Sequence, residues 1–151
     1  MKYVLLSIIT LLPLICFASE KMESEFLKRF DAFIQEGDFS KEKLNAVWLV
    51  QDTPPKLFTQ TLNEIKALNA QGTGESKFHE IYPAIKEGMS QPMEIEGKTY
   101  TPNLIPYKMV EIKYSKKVPV ENGSKNGWSY VLGESEGKLY MMGLKGQIQS
   151  R

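Results

Sequence analysis

The chain has 151 residues, with 19 Lys and Arg against 18 Asp and Glu, a formal net charge of +1 and 42% hydrophobic residues. That length suits one domain with its own core, and so even a charge balance excludes a strongly basic binder of nucleic acid or anionic membrane. With a single cysteine, Cys16, and a single histidine, His79, the chain can form neither an internal disulfide nor a Cys/His metal cluster of its own.

The N-terminal stretch decides the expected compartment. Lys2 supplies a positive start, residues 3–16 are almost wholly apolar, and Cys16, Phe17 and Ala18 close the run. This is the pattern of a secretory signal peptide over residues 1–18, too short for a spanning helix and interrupted by Pro13. The expectation is an exported protein, periplasmic or secreted, with no stable membrane anchor. Acylation of Cys16 as a lipoprotein is a competing reading, weakened because Ile15 stands where a small residue is usual. Residues 19–151 then form a single α+β domain, balanced at 18 basic and 18 acidic residues once Lys2 is gone.

From Ser19 the pattern turns helical. Met22, Phe26, Leu27, Phe30, Phe33 and Ile34 recur at three- and four-residue spacing, with charged residues between them and Gly37 as the C-cap. Ser40 is a candidate N-cap for a short second helix carrying Leu44, Val47 and Trp48, although residues 47–50 also read as a short buried strand. Thr53 caps a further amphipathic helix with prolines in its first turn, Leu57, Phe58, Leu62, Ile65 and Leu68 on its inner side, and Gly72 at its end.

Beyond residues 71–76 the chain reads as strands and turns. Residues 77–82 form a strand closed by Pro83; residues 92–96 turn through Gly97 and Lys98 into residues 99–101 as a small hairpin; Pro102 and Pro106 confine residues 103–105 to a loop or an edge. Residues 107–115 form a longer strand with Val110, Ile112 and Tyr114 on one face and Lys108 at the mouth of that face. A polar turn region covers residues 119–127. Trp128, Tyr130 and Leu132 then alternate inward, and a last strand carries Leu139 and Met141 on one side and Tyr140 and Met142 on the other. Helices first and antiparallel strands after them give an α+β fold with N-terminal helices packed on a curved, mainly antiparallel sheet.

Two phrases carry a family resemblance. Phe33-Ile-Gln-Glu-Gly-Asp-Phe39 resembles the first helix exit of small secreted nuclear-transport-factor-2-like domains, and Trp128-Ser-Tyr-Val-Leu-Gly-Glu-Ser-Glu-Gly-Lys-Leu-Tyr140 resembles their final hairpin. The sequence departs from that family in having Leu139 where Trp is frequent after the turn lysine. The resemblance implies a cone-like fold with a pocket between helices and sheet. It does not imply an activity, because members include isomerases, dehydratases and domains without chemistry.

The side chains that could do chemistry are few. His79, beside Glu80 on a strand, is a candidate base, but a lone strand histidine more often sits at a rim. Glu94 and Glu96, two apart, would share one strand face and could hold a cation, the plainer reading being the wet side of a hairpin. Glu80, Glu94, Tyr82, Tyr100 and Tyr107 match no motif of the ketosteroid-isomerase branch closely enough to take its roles. There is no phosphate-binding Gly-rich loop and no nucleophile elbow. The expected function is therefore non-enzymatic. It is binding of an apolar small molecule or a protein partner, anchored by Phe30, Phe33, Trp128, Tyr130 and Tyr140, with no cofactor, metal or nucleic acid implied. The alternatives are a cofactor-free isomerase or lyase using a pocket carboxylate or His79, and a homodimer joined around Tyr140 and Met142.

Overall fold

The computed structural model describes the backbone of residues 4–50, 52–69, 74–120 and 123–146, and the side chains of these residues except 4–18, 68, 69, 115, 118, 120 and 125. The expected helix end at Gly72 and the Cys16 side chain lie outside the described residues. Among the described residues no helix is long and apolar enough to cross a membrane.

Helix α1 (Val4–Glu36) runs unbroken through the expected leader into the domain. From Ser19 onward its spacing works as the sequence implies: Phe26, Phe30, Phe33 and Ile34 are buried, and Met22 and Leu27 pack beside them. Gly37, at φ 68°, ends the helix and donates its N–H to Phe33 O at 3.4 Å. A single turn, α2 (Lys41–Leu44), follows. Ser40 makes no side-chain cap there; its own N–H is received by Asp38 Oδ1 at 3.0 Å.

Residues 47–50 form neither a helix nor a full strand, but a single bridge at the end of a turn. Trp48 forms a parallel bridge with Met141, Val47 O accepting from Met141 N at 2.7 Å and Leu49 N donating to Met141 O at 3.4 Å. Val47, Trp48 and Val50 are buried, and Val47 N and Trp48 N also donate to Leu44 O at 2.9 and 2.7 Å, so the helical turn and the bridge meet at Trp48. Helix α3 (Pro55–Asn69) starts at a proline that needs no N–H partner. Thr53 stands ahead of it as a hydrogen-bond acceptor for Leu144 N at 3.3 Å, not as its cap.

Strand β1 (Glu75–Glu80) is followed by a helix the sequence reading did not foresee, α4 (Pro83–Met89). Pro83 is its first residue, so the proline taken as a strand stop is also a helix start. Strands β2 (Met93–Ile95) and β3 (Lys98–Pro102) form the small hairpin, shifted one residue from expectation. Its turn is Glu96-Gly97, at φ 53° and 75°. Two left-handed residues make the tight hairpin connection whose twist matches the strands. Glu96 therefore leaves the strand and shares no face with Glu94.

Strands β4 (Pro106–Val120) and β5 (Gly123–Ser135) are longer than expected: the ladder takes in most of the polar region at 119–127, with a register irregularity between Lys113 and Val118. Strand β6 (Lys138–Met141) returns through a Glu136-Gly137 turn at φ 52° and 72°, and β7 (Leu144–Gly146) crosses to pair with β3. The strands make two antiparallel sheets, ordered β1-β4-β5-β6 and β2-β3-β7.

The architecture is α+β, with helices first and antiparallel sheets behind them. The core lies where α1 and residues 44–50 meet the inward phase of the larger sheet: Val110, Ile112 and Tyr114 from β4, Trp128, Tyr130 and Leu132 from β5, Leu139 and Met141 from β6. Arg29 closes one edge, donating to Ala46 O at 2.5 Å and Leu139 O at 2.6 Å with its guanidinium 5.1 Å from the Tyr140 ring. Lys108 lies against α1 near the start of β4. It is held there by Glu23, by Ser19 Oγ at 3.1 Å and by Glu80 at 3.0 Å.

Candidate functional site

A groove of about 350 Å³ opens between α3 and the junction of the two sheets. One wall is the flank of α3, where Leu57, Thr61 and Glu64 follow one another at helical spacing. The floor is Ser129, Tyr130 and Val131 of β5 with Met141, Met142, Gly143 and Leu144, and the rim adds Trp48, Thr53, Met89, Met93 and Pro102. Four of the lining residues are methionines, whose flexible, polarizable side chains adapt to irregular apolar shapes. Leu57 and Met93 are 38% and 39% exposed although apolar, so the groove presents apolar surface to solvent.

Hydrogen bonds fix the β6–β7 link that forms the floor. Trp48 Nε1 donates to Met142 O at 3.1 Å while its ring stacks on Phe58 at 5.6 Å. Met142 N donates to Val131 O at 3.0 Å. Asn103 reaches both ways: Oδ1 accepts Gly143 N at 2.9 Å and Nδ2 donates to Leu49 O at 2.7 Å, while its own N–H donates to Gly143 O at 3.1 Å. Gly143 lies so near the 47–50 segment that an added Cβ would meet Leu49 O at 1.9 Å. Only glycine lets the two backbones approach this closely.

Tyr130, which lines the groove, turns its ring into the core, where its hydroxyl is buried. The residue is 7% exposed, its ring is 5.9 Å from that of Phe30, and its hydroxyl has no hydrogen-bond partner among the described residues. Burial pushes the phenol well above its ordinary range, and the Glu64 and Tyr114 charges add to that. Trp128 Nε1 is likewise buried and unpartnered. Its ring meets Tyr114 edge-on at 6.1 Å, and burial, aided by the Asp31 charge, pushes the Tyr114 phenol to about 12.

Of the five anchors expected from sequence, only Tyr130 lines this groove. Phe30 stacks on Phe26 at 5.8 Å and Phe33 meets Phe39 edge-on at 5.4 Å; both are core, as is Trp128. Tyr140 faces Arg29 away from the groove. The reason is physical: a helical aromatic stripe reports burial, and here it is spent on the sheet. His79 and Glu80 also lie elsewhere. His79 Nε2 is 3.4 Å from Glu111 Oε2 on neighbouring β4, and Glu80 pairs with Lys108. Lys113, chiefly, and His79 lower the Glu111 carboxyl. Among the described residues no group of three or more His, Cys, Asp or Glu comes together to hold a metal ion.

Sequence reasoning missed Leu57 as a groove residue, and with it Glu64, Met89, Met93 and Met142. The spacing of Leu57, Thr61 and Glu64 was a usable signal, one face beside the inward stripe of α3; for Met89, on an unforeseen helix, there was none. Comparison of the chain with protein-family models, with curated proteins and with solved structures finds no match to any of the three.

Proposed function

We propose that this protein is an exported, non-enzymatic binding domain that holds a small apolar molecule in the groove between α3 and the β6–β7 link. The observation that carries this reading is the groove itself: about 350 Å³, within the range of small-molecule sites, lined by four methionines, Trp48 and Leu57, on a floor fixed by hydrogen bonds. Rigid backbone beneath adaptable side chains limits the ordering cost of binding. The helices-first order and the closing hairpin, which resemble nuclear-transport-factor-2-like domains, and the signal-like residues 1–18 support the same reading. An isomerase or lyase needs two polar groups converging on a reacting atom. Here the Tyr130 hydroxyl has no hydrogen-bond partner, Glu64 included, and His79 lies on another part of the sheet.

The test is titration of the purified protein with the apolar fluorophore N-phenyl-1-naphthylamine. Saturable, blue-shifted emission is expected. Leu57→Glu and Met93→Glu, at partly exposed positions, each weaken it about tenfold or more, since a charge introduced into an apolar site forfeits burial. Emission that does not saturate, or that both variants leave unchanged, contradicts the proposal.

A further inference from the structure

We infer that the groove takes apolar molecules that end in a protonated amine, the ammonium held by the Glu64 carboxylate and the tail laid along α3 toward Leu57. This rests on the binding reading above and gives it a ligand class.

Two features of the lining carry it. Glu64 is its only charged residue, and no Lys, Arg or His stands beside it there. The side chain is partly buried and makes no hydrogen bond or ion pair among the described residues, so it is free to turn to a cation in the groove. Burial raises the Tyr130 phenol and the Glu64 charge adds to it, which places that charge on the sheet side of α3. An ionised carboxylate only accepts hydrogen bonds and an ammonium only donates them, so the two match and each bond is charge-assisted. A ligand carboxylate is repelled at the same place, where apolar walls weaken screening. The second feature is that the charge stands at one end of an apolar run. Leu57, Thr61 and Glu64 share one flank of α3, and at the helical rise Leu57 lies about 10 Å from Glu64 along the axis. That is the reach of a medium alkyl chain. Four methionines and Trp48 supply the apolar surface for such a tail. A charge introduced at position 57 therefore meets the tail and not the ammonium. A wholly apolar ligand uses only the second feature; an alkylamine uses both.

The experiment is displacement of N-phenyl-1-naphthylamine at about pH 7 by chain-matched competitors: decylamine, which is protonated there, decanol, which is neutral, and decanoate. Each is kept below the concentration at which it brightens the probe without protein. Decylamine is expected to displace the probe at concentrations about threefold to tenfold below decanol, between the worth of an exposed ion pair and that of a desolvated, charged hydrogen bond, with decanoate weakest. Glu64→Gln brings the amine-to-alcohol ratio toward one by weakening the amine, and Glu64→Lys puts decanoate ahead of decylamine. Raising the salt from about 20 mM to about 1 M shrinks the wild-type preference, since the attraction is screened. Should neither variant fold, judged by its far-ultraviolet spectrum, that salt dependence carries the test. Saturable probe binding with amine and alcohol equal, or with decanoate preferred, overturns this inference and leaves the binding reading standing. A preference for the amine that Glu64→Gln or high salt leaves unaltered also overturns it. No saturable probe binding removes both.

Discussion

Replacing Asn103 by alanine should cost more stability than any other single polar truncation at the groove. The side chain supplies two hydrogen bonds between segments distant in sequence, to Leu49 O at 2.7 Å and from Gly143 N at 2.9 Å. Each is worth about 1 kcal/mol net, and the buried Gly143 N–H left without a partner adds about 1–2 more, for a total of about 3–4 kcal/mol. At roughly 2–4 °C per kcal/mol for a chain of this size, the midpoint of thermal unfolding should fall by about 6–16 °C. The assay is a far-ultraviolet circular-dichroism melt of wild type, Asn103→Ala and Asn103→Asp. The aspartate keeps an acceptor for Gly143 N but turns a carboxylate toward Leu49 O, so at neutral pH it should be no better than alanine. Protonated at about pH 4, it regains a donor and should exceed alanine there. A fall of less than about 3 °C for Asn103→Ala would refute the view that these two bonds fix the groove floor.

Three further outcomes follow from the same geometry. Gly143→Ala should destabilise by about 2–4 kcal/mol, read from urea unfolding, because its Cβ would lie 1.9 Å from Leu49 O and the backbone there must part; an unchanged midpoint contradicts this. Arg29→Met should cost about 2 kcal/mol by the same assay through the lost bonds to Ala46 O and Leu139 O, and Arg29→Lys should not restore it, since a single ammonium cannot fork to both carbonyls. For Lys108, burial acts to lower the ammonium's pKa but is outweighed by Glu23 and Glu80, which hold it above its ordinary 10.5. A group raised on folding lends stability in full below its unfolded value and loses it as pH climbs through the folded one. The advantage of wild type over Lys108→Met should therefore be constant from about pH 7 to 9.5 and shrink above 10.5; an advantage that persists undiminished at about pH 12 counts against the assignment.

How much of this was legible depended on whether the signal was local. The inward stripe of α1 needed only helical spacing, and Val110, Ile112 and Tyr114 against Trp128, Tyr130 and Leu132 needed only alternation; both stand as read. The Glu-Gly turns could be placed to within a residue because few residues tolerate the left-handed backbone they require. Residues 47–50 were undecided because four apolar residues carry no period of their own. Their partner, Met141, lies far along the chain. Strands β4 and β5 extend into polar residues 119, 120 and 123–127 because a ladder can continue on backbone pairing alone, which composition does not report. The groove was the least legible part. Its methionines come from α4, β2 and the end of β6, and no spacing links them. Of the expected anchors Tyr130 borders the groove whereas Phe30, Phe33 and Trp128 lie in the core, since hydrophobicity marks what is buried and not what borders an opening.

The central claim, that the groove holds a small apolar molecule, is tested most directly by native mass spectrometry of the protein purified gently from the cells that make it, alongside Leu57→Glu and Met93→Glu prepared in the same way. The account predicts one retained apolar molecule on the wild-type protein, absent from both variants. A wild-type protein that arrives bare and also fails to bind the apolar fluorophore saturably, or an adduct that both variants keep, would contradict it.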